Sequence, residues 1–166
     1  MYTEEYKLLT DTLNRHQIPY ERHVHEPVRT MEDCYRVQTL SQDTVMPKNI
    51  FLCNRQQTCF YLYVCSPFEP FRTAVFSKAI GVSRLSFAGD DHLERMLRVS
   101  SGAVTPLALL FDTDRRVQLV LDQKLLSARH LAFHPLIPTE TLIFRQEDFL
   151  NRFLPLSGHE ARLVSL

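Results

Sequence analysis

Two parts of the sequence carry residue types that could act together in one reaction: Lys48, and the run Gly102-Ala103-Val104-Thr105-Pro106. A lysine ammonium can hold a phosphate as a point charge. Glycine lets a backbone approach a bound group closely and proline fixes φ, so a Gly…Pro turn can present its amides to an acyl group and to an oxyanion that develops on it. If the fold brings them into one cleft, these residues point to chemistry on an ester linked to a nucleotide.

Polar residues near these segments, and elsewhere, could assist that chemistry. Asn49 could orient ribose hydroxyls or a water molecule through its amide, or stabilise a turn. Thr105 has a hydroxyl, but no base to activate it is evident, so we predict no acyl-enzyme. His134 is suited to general base catalysis near neutral pH, or has a structural role. Asp122 follows a predicted strand and is expected to be a turn or capping residue.

A metal site is not expected from the spacing of the potential ligands. His23 and His25 would share one face of a strand, but no third ligand is evident. The four cysteines show no C-x-x-C spacing and are expected to be small buried thiols. We therefore predict neither a metal nor a cofactor.

The composition is that of a globular protein, and its net charge does not favour coating of a nucleic acid. The chain has 166 residues, 45% apolar and 23% charged, so we predict a single domain over 1–166. The 19 basic side chains balance the 19 acidic ones, which argues against coating of nucleic acid but allows a local basic site. The N-terminus is polar and acidic, and no apolar run approaches the roughly 20 residues that span a bilayer. We predict a cytoplasmic protein without membrane association.

Periodicity and turn signals predict helices alternating with short strands. Thr30-Met31-Glu32-Asp33 resembles a capping box, and 41–47 is predicted as loop. Helices are expected over 3–16, 30–38, 71–80, 90–97 and 146–153, and strands over 20–24, 48–53, 58–64, 84–87, 107–111, 117–121, 131–133, 141–144 and 161–165. Hairpins are predicted around 54–57 and 112–115. Four glycines cannot supply a dinucleotide-binding turn, so the pattern favours a mixed sheet that curls over itself.

Five segments in this order resemble a known family: residues 47–52, 102–107, 120–125, 133–135 and 157–159. They are similar to the YbaK/ProX-type aminoacyl-tRNA deacylases, which are free-standing relatives of the editing domain inserted in bacterial prolyl-tRNA synthetases. The resemblance extends over nearly the whole chain. Three further features, Lys48-Asn49, Thr30-Met31-Glu32 and His134-Pro135, are most similar to the branch that removes alanine from mischarged proline tRNA.

The resemblance implies an α+β fold with a mixed and strongly curved, barrel-like β-sheet flanked by helices. It also implies that the protein hydrolyses the ester between a wrong amino acid and the terminal ribose of tRNA. It implies tRNA as partner, with prolyl-tRNA synthetase as a further one. A site too small for proline can admit alanine, which the synthetic site cannot exclude by more than a few kcal/mol. The implied catalytic residues are Lys48, Gly102 and Pro106, and the implied substrate-binding residues are Thr30, Asn49, Ala103, Val104, Thr105 and His134.

The sequence departs from the alanine branch near the acyl pocket. Pro138 stands before Thr139 where relatives commonly have Asn, and Met46-Pro47 precedes Lys48. Two alternatives therefore accompany the deacylation of Ala-tRNA(Pro). One is a deacylase for another small aminoacyl group, such as cysteine, serine or threonine. The other is a non-catalytic module that binds the 3′ end of tRNA.

Overall fold

A computed structural model describes residues 2–28, 30, 32–33 and 42–166. Its strands are β1 (Glu21–Val24), β2 (Thr44–Val45), β3 (Lys48–Cys53), β4 (Phe60–Cys65), β5 (Ser86–Phe87), β6 (Val117–Asp122), β7 (His130–Phe133), β8 (Glu140–Arg145) and β9 (Ala161–Val164). The α-helices are α1 (Glu4–Arg15), α2 (Thr73–Ile80), α3 (Asp90–Leu97), α4 (Gln146–Asp148) and α5 (Leu154–Ser157), and a π-helical turn (Phe149–Phe153) joins the last two. Short 3₁₀ helices cover Pro106–Phe111 and Gln123–Ser127.

The described strands form two sheets. The five-stranded sheet has the order β5-β3-β4-β6-β9, and the four-stranded sheet has the order β1-β8-β7-β2. β3 and β4 form the predicted antiparallel hairpin, in register from Lys48 opposite Cys65 to Cys53 opposite Phe60. The hairpin turn is held by Asn54, whose side-chain oxygen accepts hydrogen bonds from the amides of the two residues before β4. Parallel pairing of β6 with β4 and of β9 with β6 completes a mixed sheet.

The α+β class and the flanking helices are confirmed, but the prediction of a barrel-like sheet is wrong. Neither sheet of the described residues is closed, since each ends in edge strands, β5 and β9 in one and β1 and β2 in the other. The chain passes between the sheets through Met46 and Pro47, which separate β2 from β3. Proline has no amide hydrogen to continue a ladder, so the backbone changes sheet there. β2 itself lies in a segment predicted as loop.

The prediction of a second hairpin around 112–115 is also wrong. Residues Pro106–Phe111 form a 3₁₀ helix in which Pro106 occupies the first turn and the Thr105 side chain accepts a hydrogen bond from the Leu107 amide. An apolar run of this length does not distinguish a strand from a short buried helix, and the Thr-Pro pair is a helix start. β6 finds its partners in β4 and β9 instead.

Local end signals of the helices are largely as predicted. Thr3 caps α1, accepting from the Tyr6 amide, and Gly81 ends α2 with φ of 75°. Thr30 and Asp33 form a reciprocal capping pair: the Asp33 amide donates to the Thr30 hydroxyl oxygen over 3.0 Å, and the Thr30 amide donates to the Asp33 carboxylate over 3.2 Å. Met31 and positions 34–38 of the predicted second helix lie outside the described residues.

β3 separates two apolar clusters because its side chains alternate between the faces of the sheet. Phe51 packs in the larger cluster, with α1, the last helices and the four-stranded sheet. Ile50 and Leu52 pack on the other face, against α2. This alternation directs Asn49 to the face of the larger core and Lys48 to the face of α2. Within the described ranges, no helix combines the length and apolar composition that crossing a bilayer requires.

Asp112 and His159 form a buried hydrogen-bonded pair that holds the chain between the Pro106–Phe111 helix and β6. His159 donates from Nε2 to an Asp112 carboxylate oxygen over 2.9 Å, and its Nδ1 faces the Ser157 carbonyl oxygen at 2.9 Å. The same carboxylate accepts hydrogen bonds from the Arg116 and Val117 amides. Burial by itself raises the pKa of Asp112, but the hydrogen bonds from His159 and these amides outweigh it and lower the pKa below its ordinary value.

Replacing Asp112 by asparagine is expected to lower the free energy of unfolding by about 1.5–3 kcal/mol at pH 7, because a charged acceptor of three hydrogen bonds is lost. A carboxyl with a lowered folded pKa stabilises fully above its unfolded pKa of about 4, and this contribution disappears as the pH falls through the folded pKa. Urea denaturation at pH 7 and below pH 4 measures the effect, which should shrink in acid. Asp114→Asn, at an exposed position of the same turn, is the control. Equal stability of the two variants at pH 7 would contradict the prediction.

Candidate active site

A cleft with a volume of about 310 Å³ opens between the start of β3, the end of β7 and the loop before the Pro106–Phe111 helix. Segments far apart in sequence meet here because β3 and β7 belong to different sheets that the Met46-Pro47 crossover connects. The cleft is lined by Val28, Thr30, Met46, Pro47, Lys48, Asn49, Ile50, Gly102, Val104, Ala132, Phe133 and His134. Lysine and the Gly…Pro segment therefore border the same cavity.

Asn49 connects β3 to this loop. Its side-chain Nδ2 donates to the Val104 carbonyl oxygen over 3.1 Å, which ties the loop across the cleft. Its Oδ1 is buried and has no hydrogen-bond partner among the described residues. A buried amide oxygen without a partner costs free energy, so this atom is suited to accept a hydrogen bond from a bound hydroxyl, water or ammonium group.

Gly102 supplies a bend that other residues adopt only with strain. Its φ is 86°, and a Cβ added to it would meet no atom within 4 Å. The space beside its α-carbon is thus not filled by protein, and Gly102 itself lines the cleft. The Ala103 amide donates to the Ser100 carbonyl oxygen over 3.1 Å, which closes the turn behind Gly102.

Lys48 lies at the mouth of the cleft. Its ammonium donates to the backbone carbonyl oxygen of Glu69 over 2.5 Å, in a solvent-exposed setting. Because Lys48 faces the α2 side of the sheet and Asn49 the other side, the ammonium is placed at the rim while the Asn49 amide points inward. A half-buried lysine whose ammonium reaches solvent can exchange a neutral carbonyl for a phosphate oxygen.

His134 forms part of the wall as a neutral ring. Its Nδ1 is 2.9 Å from the Glu140 carbonyl oxygen, so this nitrogen carries the hydrogen. Burial lowers the pKa of His134 below its ordinary value; the hydrogen bond to Glu140 acts in the opposite direction and nearby His25 lowers the pKa further. The His25 ring stands edge-on at 5.9 Å between centroids. A neutral ring at pH 7 is not suited to bind phosphate, but it can shape the site.

Comparison with known proteins assigns the chain to a family. A family model described as the aminoacyl-tRNA editing domain matches residues 25–151. The chain belongs to the aminoacyl-tRNA editing domain family. The prolyl-tRNA editing protein ProX of Acetoanaerobium sticklandii is 29% identical over 93% of each chain. The prolyl-tRNA synthetase associated domain-containing protein 1 of Danio rerio is 33% identical over 96% of this chain and 86% of its own.

A solved structure supports the same fold for the editing domain. A candidate trans-editing enzyme for prolyl tRNA synthetase superposes with a TM-score of 0.69, covering 100% of this chain and 99% of its own. The two are 13% identical, so this likeness concerns the fold alone.

Three residues implied as part of the site do not line the editing-domain cleft. Thr105 is fully buried, and its hydroxyl oxygen accepts from the Leu107 amide. Pro106 is buried in the first turn of the 3₁₀ helix, and Ala103 closes the turn behind Gly102. These residues shape the loop from behind the wall, whereas Gly102 and Val104 reach the cavity. Thr30 also lines it.

Most of the apolar wall of the editing-domain cleft was not singled out as site from the sequence. Val28, Ile50, Ala132 and Phe133 provide this surface together with Met46, which is buried with Ala132 against β8. Met46 and Pro47 stood out only as a departure next to Lys48. The remaining wall residues resemble any core residue, so no sequence signal separates them from the core.

No cluster of three His, Cys, Asp or Glu side chains suited to a metal ion occurs in the part of the chain that the structure describes. His23 faces Glu21, with 2.7 Å between Nε2 and the carboxylate. His25 contacts the Glu26 carbonyl oxygen and the Thr141 hydroxyl through its two nitrogens. The two histidines thus have different partners and do not converge as ligands of one ion.

Proposed function

We propose that this editing-domain protein is a trans-editing hydrolase that deacylates mischarged tRNA, with Ala-tRNA(Pro) as its main substrate. The observation that carries the proposal is the convergence of Lys48, Asn49 and Gly102 on one small cleft. The name of the relative from Acetoanaerobium sticklandii, a prolyl-tRNA editing protein, supports the same activity. The tRNA is the proposed partner, and prolyl-tRNA synthetase is the enzyme whose errors it would correct.

In the proposed reaction, water attacks the ester carbonyl carbon in the cleft. The bond between that carbon and the ribose oxygen breaks, the ribose oxygen takes up the proton that the water loses, and free amino acid and tRNA leave. Loop amides at Gly102 and Val104, the two residues of the loop that border the cavity, would stabilise the oxyanion. The Asn49 Oδ1 accepts a hydrogen bond from the attacking water, the ribose hydroxyl or the substrate ammonium.

Lys48 contributes to this scheme from the mouth of the cleft. Its ammonium at the rim would bind the phosphate of the terminal nucleotide and hold the ester over the Gly102 loop. The scheme needs no enzyme nucleophile, which agrees with the buried capping role of the Thr105 hydroxyl. It also routes no step through a metal.

Selection for a small aminoacyl group is proposed to come from the apolar wall. Met46, Ala132 and Phe133 border the cleft and are themselves packed in the core, so the wall cannot easily move aside. A proline ring would have to displace these side chains, whereas an alanine methyl group would not. Packing against one or two extra carbons changes selectivity by about 1–3 kcal/mol, and steric exclusion can exceed this.

A panel of one tRNA(Pro) charged separately with alanine, cysteine, serine and proline tests the proposal. We expect fastest hydrolysis of the alanyl ester, measurable loss of the other small groups and no acceleration for proline, with the same rates in EDTA. If alanine is released only at the spontaneous rate while tRNA binding is retained, the protein is a non-catalytic module that binds the 3′ end of tRNA and not a deacylase. Preference for the cysteinyl or seryl ester would keep the reaction and change the substrate. Loss of activity in EDTA that zinc restores would contradict the metal-free scheme.

A further inference from the structure

A second pocket lies on the α2 side of the five-stranded sheet. It has a volume of about 270 Å³, and its wall includes Tyr63, Ser66, Phe71, Val75, Asp122 and Leu166. The pocket is mainly apolar and aromatic, and its charged wall residues are Asp122, Glu69 and Arg72. The deacylation chemistry proposed above does not use it.

Lys48 connects this outer pocket to the cleft. In the β3–β4 hairpin Lys48 is the Cα partner of Cys65, which lines the outer pocket, and partners in such a ladder are about 5 Å apart. Lys48 lines the cleft, and its ammonium donates a hydrogen bond to the carbonyl oxygen of Glu69, another wall residue of the outer pocket. The two cavities therefore lie at the same end of the sheet, with this lysine between them.

The aromatic part of the outer pocket is rigid. The Phe71 ring packs against Tyr63, Phe76 and Phe87, with centroids 5.8 to 6.0 Å apart. Phe71 itself remains half-buried, so one part of the ring is accessible from the pocket. A fixed aromatic ring beside a nucleotide-sized cavity is the arrangement on which nucleobases stack.

The polar side of the outer pocket offers hydrogen-bond acceptors. The Asp122 carboxylate is buried and held in place by the Ser66 and Lys124 amides, one on each oxygen. A carboxylate has about four acceptor positions, so these two hydrogen bonds do not exhaust it. Glu69 forms an ion pair with Lys124 at the rim. Carboxylates repel a phosphate but accept from an exocyclic amino group, as they do from the amino group of cytosine.

The Cys65 thiol in this wall is not a competing nucleophile. Burial raises its pKa to about 12, with the nearby carboxylates adding to the shift and Lys48 opposing it. The thiol therefore stays protonated at neutral pH and serves as an apolar surface.

We propose that the outer pocket binds a nucleobase with an exocyclic amino group from the 3′ end of the tRNA, stacked on Phe71 with its amino group toward Asp122. This rests on the proposed function, in which Lys48 binds the terminal phosphate and the ester lies in the cleft. A tRNA backbone bound at Lys48 can place its ester in the cleft and a base in the outer pocket. The terminal adenine and the cytosine before it share the required chemistry.

Free nucleotides test the pocket without any deacylation. In an NMR titration of the protein with AMP, CMP and UMP, we expect AMP or CMP to shift the amides of Ser66, Phe71 and Val75. UMP, which presents a carbonyl instead of the amino group, should bind at least about 5-fold more weakly, because an acceptor would face the carboxylates. The tighter of AMP and CMP identifies the nucleotide. Shifts confined to cleft residues such as Asn49 and Gly102, or equal binding of UMP, would overturn the proposal.

A variant whose side chain fills the outer pocket tests the same proposal in the deacylation reaction. Val75→Trp, at the mouth of the pocket, should weaken the binding of the better nucleotide and raise KM for aminoacyl-tRNA by about 5- to 150-fold, the effect of losing one stacked base, with a smaller change in kcat. Ala79→Trp places the same side chain on an exposed position of α2 away from the pocket and is the control. Unchanged nucleotide binding and KM in Val75→Trp would overturn the proposal. A wild-type protein that binds AMP or CMP in the pocket but releases no amino acid would contradict the deacylase function alone.

Discussion

Replacing Lys48 by alanine is expected to lower kcat/KM for deacylation of Ala-tRNA(Pro) by about 10- to 150-fold. This is the effect of losing one charge-assisted contact of about 1.5–3 kcal/mol. The fold should be retained, because the only hydrogen bond that the structure gives the ammonium, among the described residues, is an exposed one to the Glu69 carbonyl oxygen. Steady-state kinetics with mischarged tRNA and a thermal unfolding curve measure the two quantities.

Lys78→Ala is the matched control for this variant. It removes the same charge from an exposed position of α2 that borders neither cavity, so it corrects for the change in net charge. Lys48→Arg adds a second test, since a guanidinium keeps the charge and should restore part of the activity. Equal activities of Lys48→Ala and Lys78→Ala would show that the phosphate is held elsewhere.

Replacing Gly102 by alanine is expected to lower deacylation by about 10- to 100-fold while costing only about 1–2 kcal/mol of stability. The stability loss is the strain of a side chain at φ of 86°. The new methyl group meets no protein atom within 4 Å, so it is not expected to clash with the fold. Because Gly102 lines the cleft, we expect the methyl group to crowd the acyl group there, and displacement of a reacting group by about 1 Å can cost 100-fold in rate.

Gly81→Ala separates these two effects. Gly81 ends α2 with φ of 75°, and its added Cβ also meets no atom within 4 Å, so its strain should be similar. It does not line the cleft, and its deacylation rate should be near that of the wild type. If Gly102→Ala and Gly81→Ala lost stability and activity to the same extent, backbone strain, and not proximity to the substrate, would explain the lower activity of Gly102→Ala.

Local features that depend on a few neighbouring residues were predicted correctly from the sequence. The β3–β4 hairpin, the Thr3 cap, the Thr30–Asp33 capping pair and the glycine end of α2 depend on contacts between near neighbours, and each is present. Lys48, Asn49, Gly102 and His134 were identified by residue type together with the resemblance to editing domains, and all four border one cleft.

The predictions of secondary structure and strand pairing that were wrong concern segments whose conformation depends on residues distant in sequence. The run before Asp112 has the composition of a strand, but the Thr105 cap and a buried position make it a 3₁₀ helix. Strands that were expected to curl into one barrel divide into two sheets at Pro47, because the pairing of β2 with β7 is decided by segments more than eighty residues apart.

The sequence by itself determined the chemical groups available to this editing domain and the local geometry that presents them. The alternation of β3, which sends the Asn49 amide inward and the Lys48 ammonium to the rim, follows from the twofold period of a strand. Only the tertiary structure decided which of residues 102–106 reach the cavity, and that a second pocket opens behind Lys48. Both depend on the packing of two sheets and α2, and packing is a property of surfaces that meet only after the chain has folded.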